Sequence, residues 1–172
     1  YFPEMRVNYV IINNEESSYK LVRHLIDKGF RKIAIITTNP HLLTMDMRRE
    51  GYANALSDAH IRINPDLYGE VTYVNYQDNI YSTLDRIFHA VPDVDAFFFT
   101  THILAIEALR YFYDRGIDIN DGNWGLASMH EDSLFRVLAP RMNIAHFPIE
   151  EIGSNAVRIL LNQIRQSNDP AA

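Results

Sequence analysis

Short, continuous apolar runs alternate along the chain with longer stretches in which apolar residues recur every three or four positions. The clearest run is Ala96-Phe97-Phe98-Phe99, followed by the polar turn Thr100-Thr101-His102 and an apolar helix that ends at Gly116. A strand with no polar alternation belongs in a parallel sheet covered on both faces. Ile33 to Ile36 repeats the pattern and ends in Thr37-Thr38-Asn39-Pro40. Tyr9 to Ile12, Val71 to Val74, Trp124 to Ala127 and about Asn143 to His146 complete the predicted strands.

Helices are predicted over about 16–28, 43–57, 78–91, 103–115 and 148–165. Gly29 supplies a left-handed stop for the first, and Pro92 forces the exit of the third. Asp78 is placed to cap that third helix, and Pro148 suits the first turn of the last. The last helix is expected to bury Ile149, Ile152, Ala156, Leu160 and Ile164. Gly51 falls in the middle of the second helix, where glycine lowers stability, so it marks a close packing contact. Strand and helix alternate throughout. That order predicts an α/β fold, a doubly wound parallel sheet flanked by helices with right-handed crossovers.

Composition narrows the class. At 172 residues the chain fits one domain, or most of one lobe of something larger, and 47% hydrophobic content excludes a disordered chain. The apolar runs are about strand length, short of the roughly 20 residues of a membrane span. A net charge of −6 without a Lys/Arg cluster argues against a nucleic-acid surface inside these residues. The absence of Cys removes disulfides and thiolate metal sites and is compatible with the cytoplasm. Tyr1-Phe2-Pro3-Glu4 shows neither a basic start nor an apolar h-region, and the lack of an initial Met reads as a fragment or a processed product.

In a parallel sheet the strand ends converge on one rim, where open α/β folds hold their ligands. Thr37, Thr38 and Asn39 come to that rim from one strand, and Asn75 and Tyr76 from the next. Thr100, Thr101 and His102 come from a third, and Ser128, His130 and Glu131 from a fourth. Arg48, near the start of a helix, faces the same edge, and Asn14 ends the first predicted strand. Short donors and acceptors, one forked cation and an aromatic platform suit a small polar ligand. No nucleophile elbow, P-loop, dinucleotide fingerprint or His-Glu-x-x-His is present, so neither an enzyme nor a cofactor is expected. His102, His130, His146 and Glu131 have ligand chemistry but match no compact metal motif. The helix after Thr100 is apolar around most of its circumference, with Glu107, Arg110 and Asp114 as its polar stripe. It therefore meets either neighbouring helices or a partner subunit besides the sheet.

Four blocks carry a family resemblance. His24 to Ala34 resembles the helix-to-strand signature of LacI/GalR-type transcriptional regulators, and Arg48 to Leu56 is similar to that family's Arg-x-x-Gly-Tyr helix. Asp95 to Phe99 with Ala105 to Leu109 resembles a third block, and Pro140 to Leu161 a fourth, in the same order and spacing. The resemblance implies a periplasmic-binding-protein-like effector domain and mostly its C-terminal lobe. Residues 1–14 would cross from a missing N-terminal lobe, 15–147 form the C-terminal lobe, and 148–172 return toward the first as a helix with a loose tail. It further implies a cytoplasmic homodimer that takes a small, carbohydrate-like effector between its lobes. DNA would be bound only through a module absent from this chain.

By the resemblance, Arg48 matches the family's ligand-contacting arginine and Tyr76 falls near its stacking aromatic. Thr101-His102 stands where the family has Asn-Asp, His130-Glu131 where it has an Asp pair, and Phe147 where it often has Gln. The changed acceptors favour a more anionic or aromatic ligand, or a protein that has lost effector binding, and the histidines make any affinity sensitive to pH. The rival readings are a secreted sugar-binding protein of a transporter, a small α/β enzyme and a receiver-type signalling domain.

Overall fold

The structure is a computed structural model that describes residues 7–38, 42–72 and 74–167. It forms two compact units, Asn14–His146 and a smaller one made of Tyr1–Asn13 with Phe147–Ala172. In the larger unit the chain runs α1 (Asn14–Asp27), β1 (Ile33–Thr38), α2 (Leu43–Asp58), a 3-10 turn (Pro65–Leu67), β2 (Tyr68–Val71), α3 (Tyr76–Ala90) and β3 (Ala96–Phe99). It continues through α4 (His102–Asp114), β4 (Gly125–Ser128), the short α5 (Phe135–Leu138) and β5 (Asn143–Ile144). The smaller unit contains α6 (Ile149–Ser167).

The five strands form one sheet in the order β2-β1-β3-β4-β5, and every pairing is parallel. Side chains of successive strand residues point to opposite faces. Phe98 therefore stacks on Tyr52 of α2, with ring centroids 6.4 Å apart, on the face covered by α1 and α2. Phe97 and Phe99 point the other way, into the core beneath α3 and α4, where Phe112 lies 5.3 Å from Phe97. Helices on both faces explain why β1, β3 and β4 are buried along their whole length.

Three local features set this arrangement. Gly29 takes φ +103° and turns the chain from α1 into β1. Asp95 then accepts the backbone N–H groups of Arg31 and Lys32, each at 2.9 Å, which ties the entry of β1 to the entry of β3. Gly51 is the contact point of α1 and α2: a Cβ there would lie 2.2 Å from the Glu15 carbonyl oxygen and 2.9 Å from the Tyr19 nitrogen. The expected close contact is present, and it is backbone against backbone.

Several expectations are corrected. Tyr9 to Ile12 forms no strand; residues 7–13 are irregular and pair with no strand among the described residues. An apolar run becomes a strand only when a neighbour satisfies its backbone. The strand expected at Val71 to Val74 lies at Tyr68–Val71, because its register is set by β1, which extends to Thr38 (Thr38 opposite Val71). The Pro, Asp and Gly around it look like a loop, yet an edge strand tolerates them. α3 opens at Tyr76 behind a left-handed Asn75 (φ 55°), so Asp78 lies within its first turn rather than at the cap.

In the smaller unit Ile152 and Ile159 are half-buried and line a hollow with Tyr9 and Val10. Ile149, Ala156, Leu160 and Ile164, expected to be buried, are exposed along this 19-residue helix. Asn39 and Tyr73 lie outside the described residues. Glu107, read as part of a polar stripe, is buried and accepts from Gln77 Nε2 at 3.3 Å.

Replacing Gly51 by Ala adds a methyl group where only backbone can yield. We expect urea unfolding to show a net loss of about 2 kcal/mol, since overpacking outweighs the roughly 1 kcal/mol gained in helix propensity.

Candidate functional site

β1 has β2 on one side and β3 on the other, so the chain reverses direction across the sheet between β1 and β3. The crevice at the carboxyl ends of those two strands is the topological switch point, where open α/β sheets take ligands. Three buried threonines line it, Thr37 and Thr38 at the end of β1 and Thr100 after β3. Thr100 Oγ1 and Thr37 Oγ1 bond across the gap at 3.2 Å. Thr38 Oγ1 is buried and has no hydrogen-bond partner among the described residues. Thr101 caps α4, its hydroxyl accepting the Leu104 N–H at 3.5 Å.

Arg48 enters this crevice from α2 and is only 5% exposed. Its Nε donates to Asn14 Oδ1 at 2.8 Å and its Nη1 to the Thr100 carbonyl at 2.6 Å. One guanidinium thus joins the first residue of α1, the body of α2 and the turn after β3. The planar fork of arginine makes such a three-way junction with little loss of freedom per bond.

His102 opens α4 and His130 follows β4, and their rings meet edge to face with centroids 5.5 Å apart. His102 Nδ1 is buried and lacks a hydrogen-bond partner among the described residues. Burial first, then the charges of Arg48 and His102, push the His130 imidazole down from its ordinary 6.5 to about 4. His130 is therefore neutral at physiological pH. Ser128 donates its hydroxyl to the His130 carbonyl at 3.3 Å.

The structure brings Arg48, Asn14, Thr101, His102 and His130 to one crevice. The Glu131 carboxylate is exposed and turned to Arg136 (2.9 Å) and His146 (3.5 Å). Those two partners, Arg136 foremost, hold it below the usual carboxylate range. Tyr76 is the first residue of α3 and packs half-buried against the core under α3 and α4. Phe147 belongs to the smaller unit, where its carbonyl accepts the Ile149 N–H at 2.8 Å. Ser18, fully buried on α1, ties that helix to the end of β4 by donating to Met129 Sδ at 3.2 Å. Nothing in the sequence marks it, because a lone serine on a helix reads as solvent-facing. Among the described residues no group of three or more His, Asp or Glu side chains is placed to hold a metal ion, and no helix is long and apolar enough to cross a membrane.

A parallel, doubly wound lobe with hydroxyls, two imidazoles and a buried arginine at its switch point defines a ligand-binding α/β module. Residues 22–172 match the family of periplasmic binding protein-like domains, and the chain belongs to that family, in the form found in the effector-binding domains of LacI-type regulators. It is 27% identical over 169 residues to the ribose operon repressor of Haemophilus influenzae, covering 98% of this chain and 50% of that protein. It is 28% identical over 164 residues to the transcriptional regulator CelR of Thermobifida fusca, covering 94% and 47%. The chain thus spans about half the length of the curated relatives it matches. The solved complex of CelR with cellobiose superposes with a TM-score of 0.82 at 24% identity, over 96% of this chain and 50% of that one. A transcription regulator from Lactobacillus plantarum superposes at 0.81 with 18% identity, over 95% and 61%. The relatives named here are transcriptional regulators rather than enzymes.

Between pH 6.5 and about 4 the unfolded chain carries a proton on His130 that the folded chain excludes. Stability therefore falls as pH drops through that window. We expect the melting temperature to decline on going from pH 7 to pH 5, and to decline less in His130→Gln.

Proposed function

We propose that this chain is the effector-sensing and dimerising part of a cytoplasmic bacterial regulator of the LacI type. A small polar molecule binds at the crevice between β1 and β3 and is enclosed by a second lobe of the full-length protein. The enclosed arrangement shifts how a separate helix-turn-helix module is held on DNA. This is a population shift, and it requires only that the effector bind one arrangement better than the other. The observation that carries the reading is Arg48: a buried guanidinium at the switch point, bonded to both Asn14 and the turn after β3. Such a residue couples whatever sits in the crevice to two helices at once. The regulators that this chain is similar to take small molecules, CelR being solved with cellobiose.

The homodimer is proposed to form through α4 and α5. Ile106, Leu109, Tyr113, Ile117 and Leu138 line a mostly apolar groove of about 640 Å³ there, and Tyr113 and the adjacent Val137 are 86% and 78% exposed. Exposed aromatic and aliphatic residues around one groove are what a self-complementary interface needs.

Two measurements test these proposals on the full-length protein. A thermal-shift screen against sugars, sugar phosphates, uronic acids and nucleobases should give hits in the wild type that weaken at least tenfold in Arg48→Lys, which keeps the charge but loses the fork. Circular dichroism on the variant separates loss of binding from loss of fold. Tyr113→Glu should shift sedimentation velocity from dimer toward monomer while leaving the melting curve of the lobe nearly unchanged; an unaltered dimer would place the interface elsewhere.

A further inference from the structure

The two threonines that end β1 are sent by the pleat to opposite faces of the sheet. Thr37 shares the face of Ile35 and Phe98, beneath α1 and α2, and its hydroxyl is engaged by Thr100 at 3.2 Å. Thr38 shares the face of Ile36, beneath α3 and α4, and lies opposite Val71 of β2. It is 1% exposed, and its hydroxyl has no hydrogen-bond partner among the described residues. Folding strips this hydroxyl of water without replacing the bond, which is destabilising. The other described hydroxyls at the carboxyl ends of the strands, those of Thr37, Thr72, Thr100, Thr101 and Ser128, each have a partner. The turn after β3 brings a second unpaired atom to the same edge, His102 Nδ1, buried at the start of α4. Glu107 Oε2 is unpaired as well, but that carboxylate lies further along α4, where Oε1 accepts from Gln77.

We propose that Thr38 is a specificity-determining contact of the effector site and that it reads a hydroxyl group on the effector. The proposal rests on the effector-site reading above. A threonine hydroxyl rotates to donate or to accept, and an imidazole nitrogen does either according to its tautomer. A ligand hydroxyl has the same freedom, so it completes such partners in whichever sense they are set. A carboxylate or a phosphate only accepts and uses half of what Thr38 offers. A site with a buried, unpaired hydroxyl also rejects an analogue that lacks the matching group more strongly than an apolar pocket rejects a misfit. The atom that weakens the free lobe is then the one that selects its ligand.

The test compares the full-length wild type with Thr38→Val and Thr38→Ser. Without ligand, Thr38→Val is expected to raise the melting temperature by a few degrees, since it removes an unpaired buried hydroxyl and keeps the shape. A fall instead shows that the hydroxyl has a partner within the protein and overturns the proposal. Calorimetric titration then uses glucose, galactose, ribose, their monodeoxy analogues, glucuronate and adenine as probes. The expected result is a hydroxylated probe whose affinity drops by about tenfold or more in Thr38→Val and stays within about threefold in Thr38→Ser. One monodeoxy analogue should lose the same factor in the wild type and nothing further in Thr38→Val, because the two hydroxyls form one interaction. Unchanged affinity in Thr38→Val, for a probe still lost in Arg48→Lys, overturns the role of Thr38 and leaves the effector site standing. Binding of adenine alone overturns the hydroxyl and likewise leaves the site. No binding of any probe by a folded protein overturns both readings.

Discussion

The close approach of α1 and α2 is the constraint on which the site depends. Because Gly51 has no side chain, the two helices touch backbone to backbone, and Glu15 and Ser18 of α1 lie directly against it. Arg48 is one turn earlier on α2, and only at that separation can its Nε reach Asn14 at the head of α1 while Nη1 reaches the turn after β3. A larger residue at position 51 would part the helices and lengthen both bonds. A packing detail in the middle of a helix therefore sets the position of the cation that the crevice is built around.

The residues around the crevice are buried as well. Thr37, Thr38 and Thr100 are buried, Arg48 nearly so, and the strands behind them are covered by helices on both faces. Electrostatic interactions are stronger in such surroundings than in water. That is why a half-buried histidine, with a guanidinium and a second imidazole as neighbours, gives up its proton well below its ordinary range. The crevice thus resists a proton on His130.

The sheet, its order and its helices superpose on regulators below 25% identity, which speaks for the fold and no more. A short polar turn follows each of the buried strands β1, β3 and β4. Here Thr101-His102 and His130-Glu131 occupy two of those turns, and the structure separates their roles. The histidines face one another, while Glu131 turns to Arg136 and His146.

The sequence by itself determined the fold class, the buried strands at Ile33 and Ala96, the helix stop at Gly29 and the close contact at Gly51. Each of these rests on local chemistry, a run of apolar residues or a missing Cβ, that neighbours do not alter. The four family blocks, read from the same residues, placed the chain in its family. Tertiary structure alone decided the rest. The register of β2 came from its pairing with β1, Tyr9 to Ile12 stayed irregular, and the apolar stripe of α6 stayed largely exposed. It also decided which polar residues share the crevice. Glu131 looked like part of the site because it follows His130 in the chain, yet Arg136 and His146, more than four residues away, hold its carboxylate outside. Sequence adjacency brings residues to the same strand end, whereas the direction of a charged side chain is set by whichever opposite charge the fold places nearest.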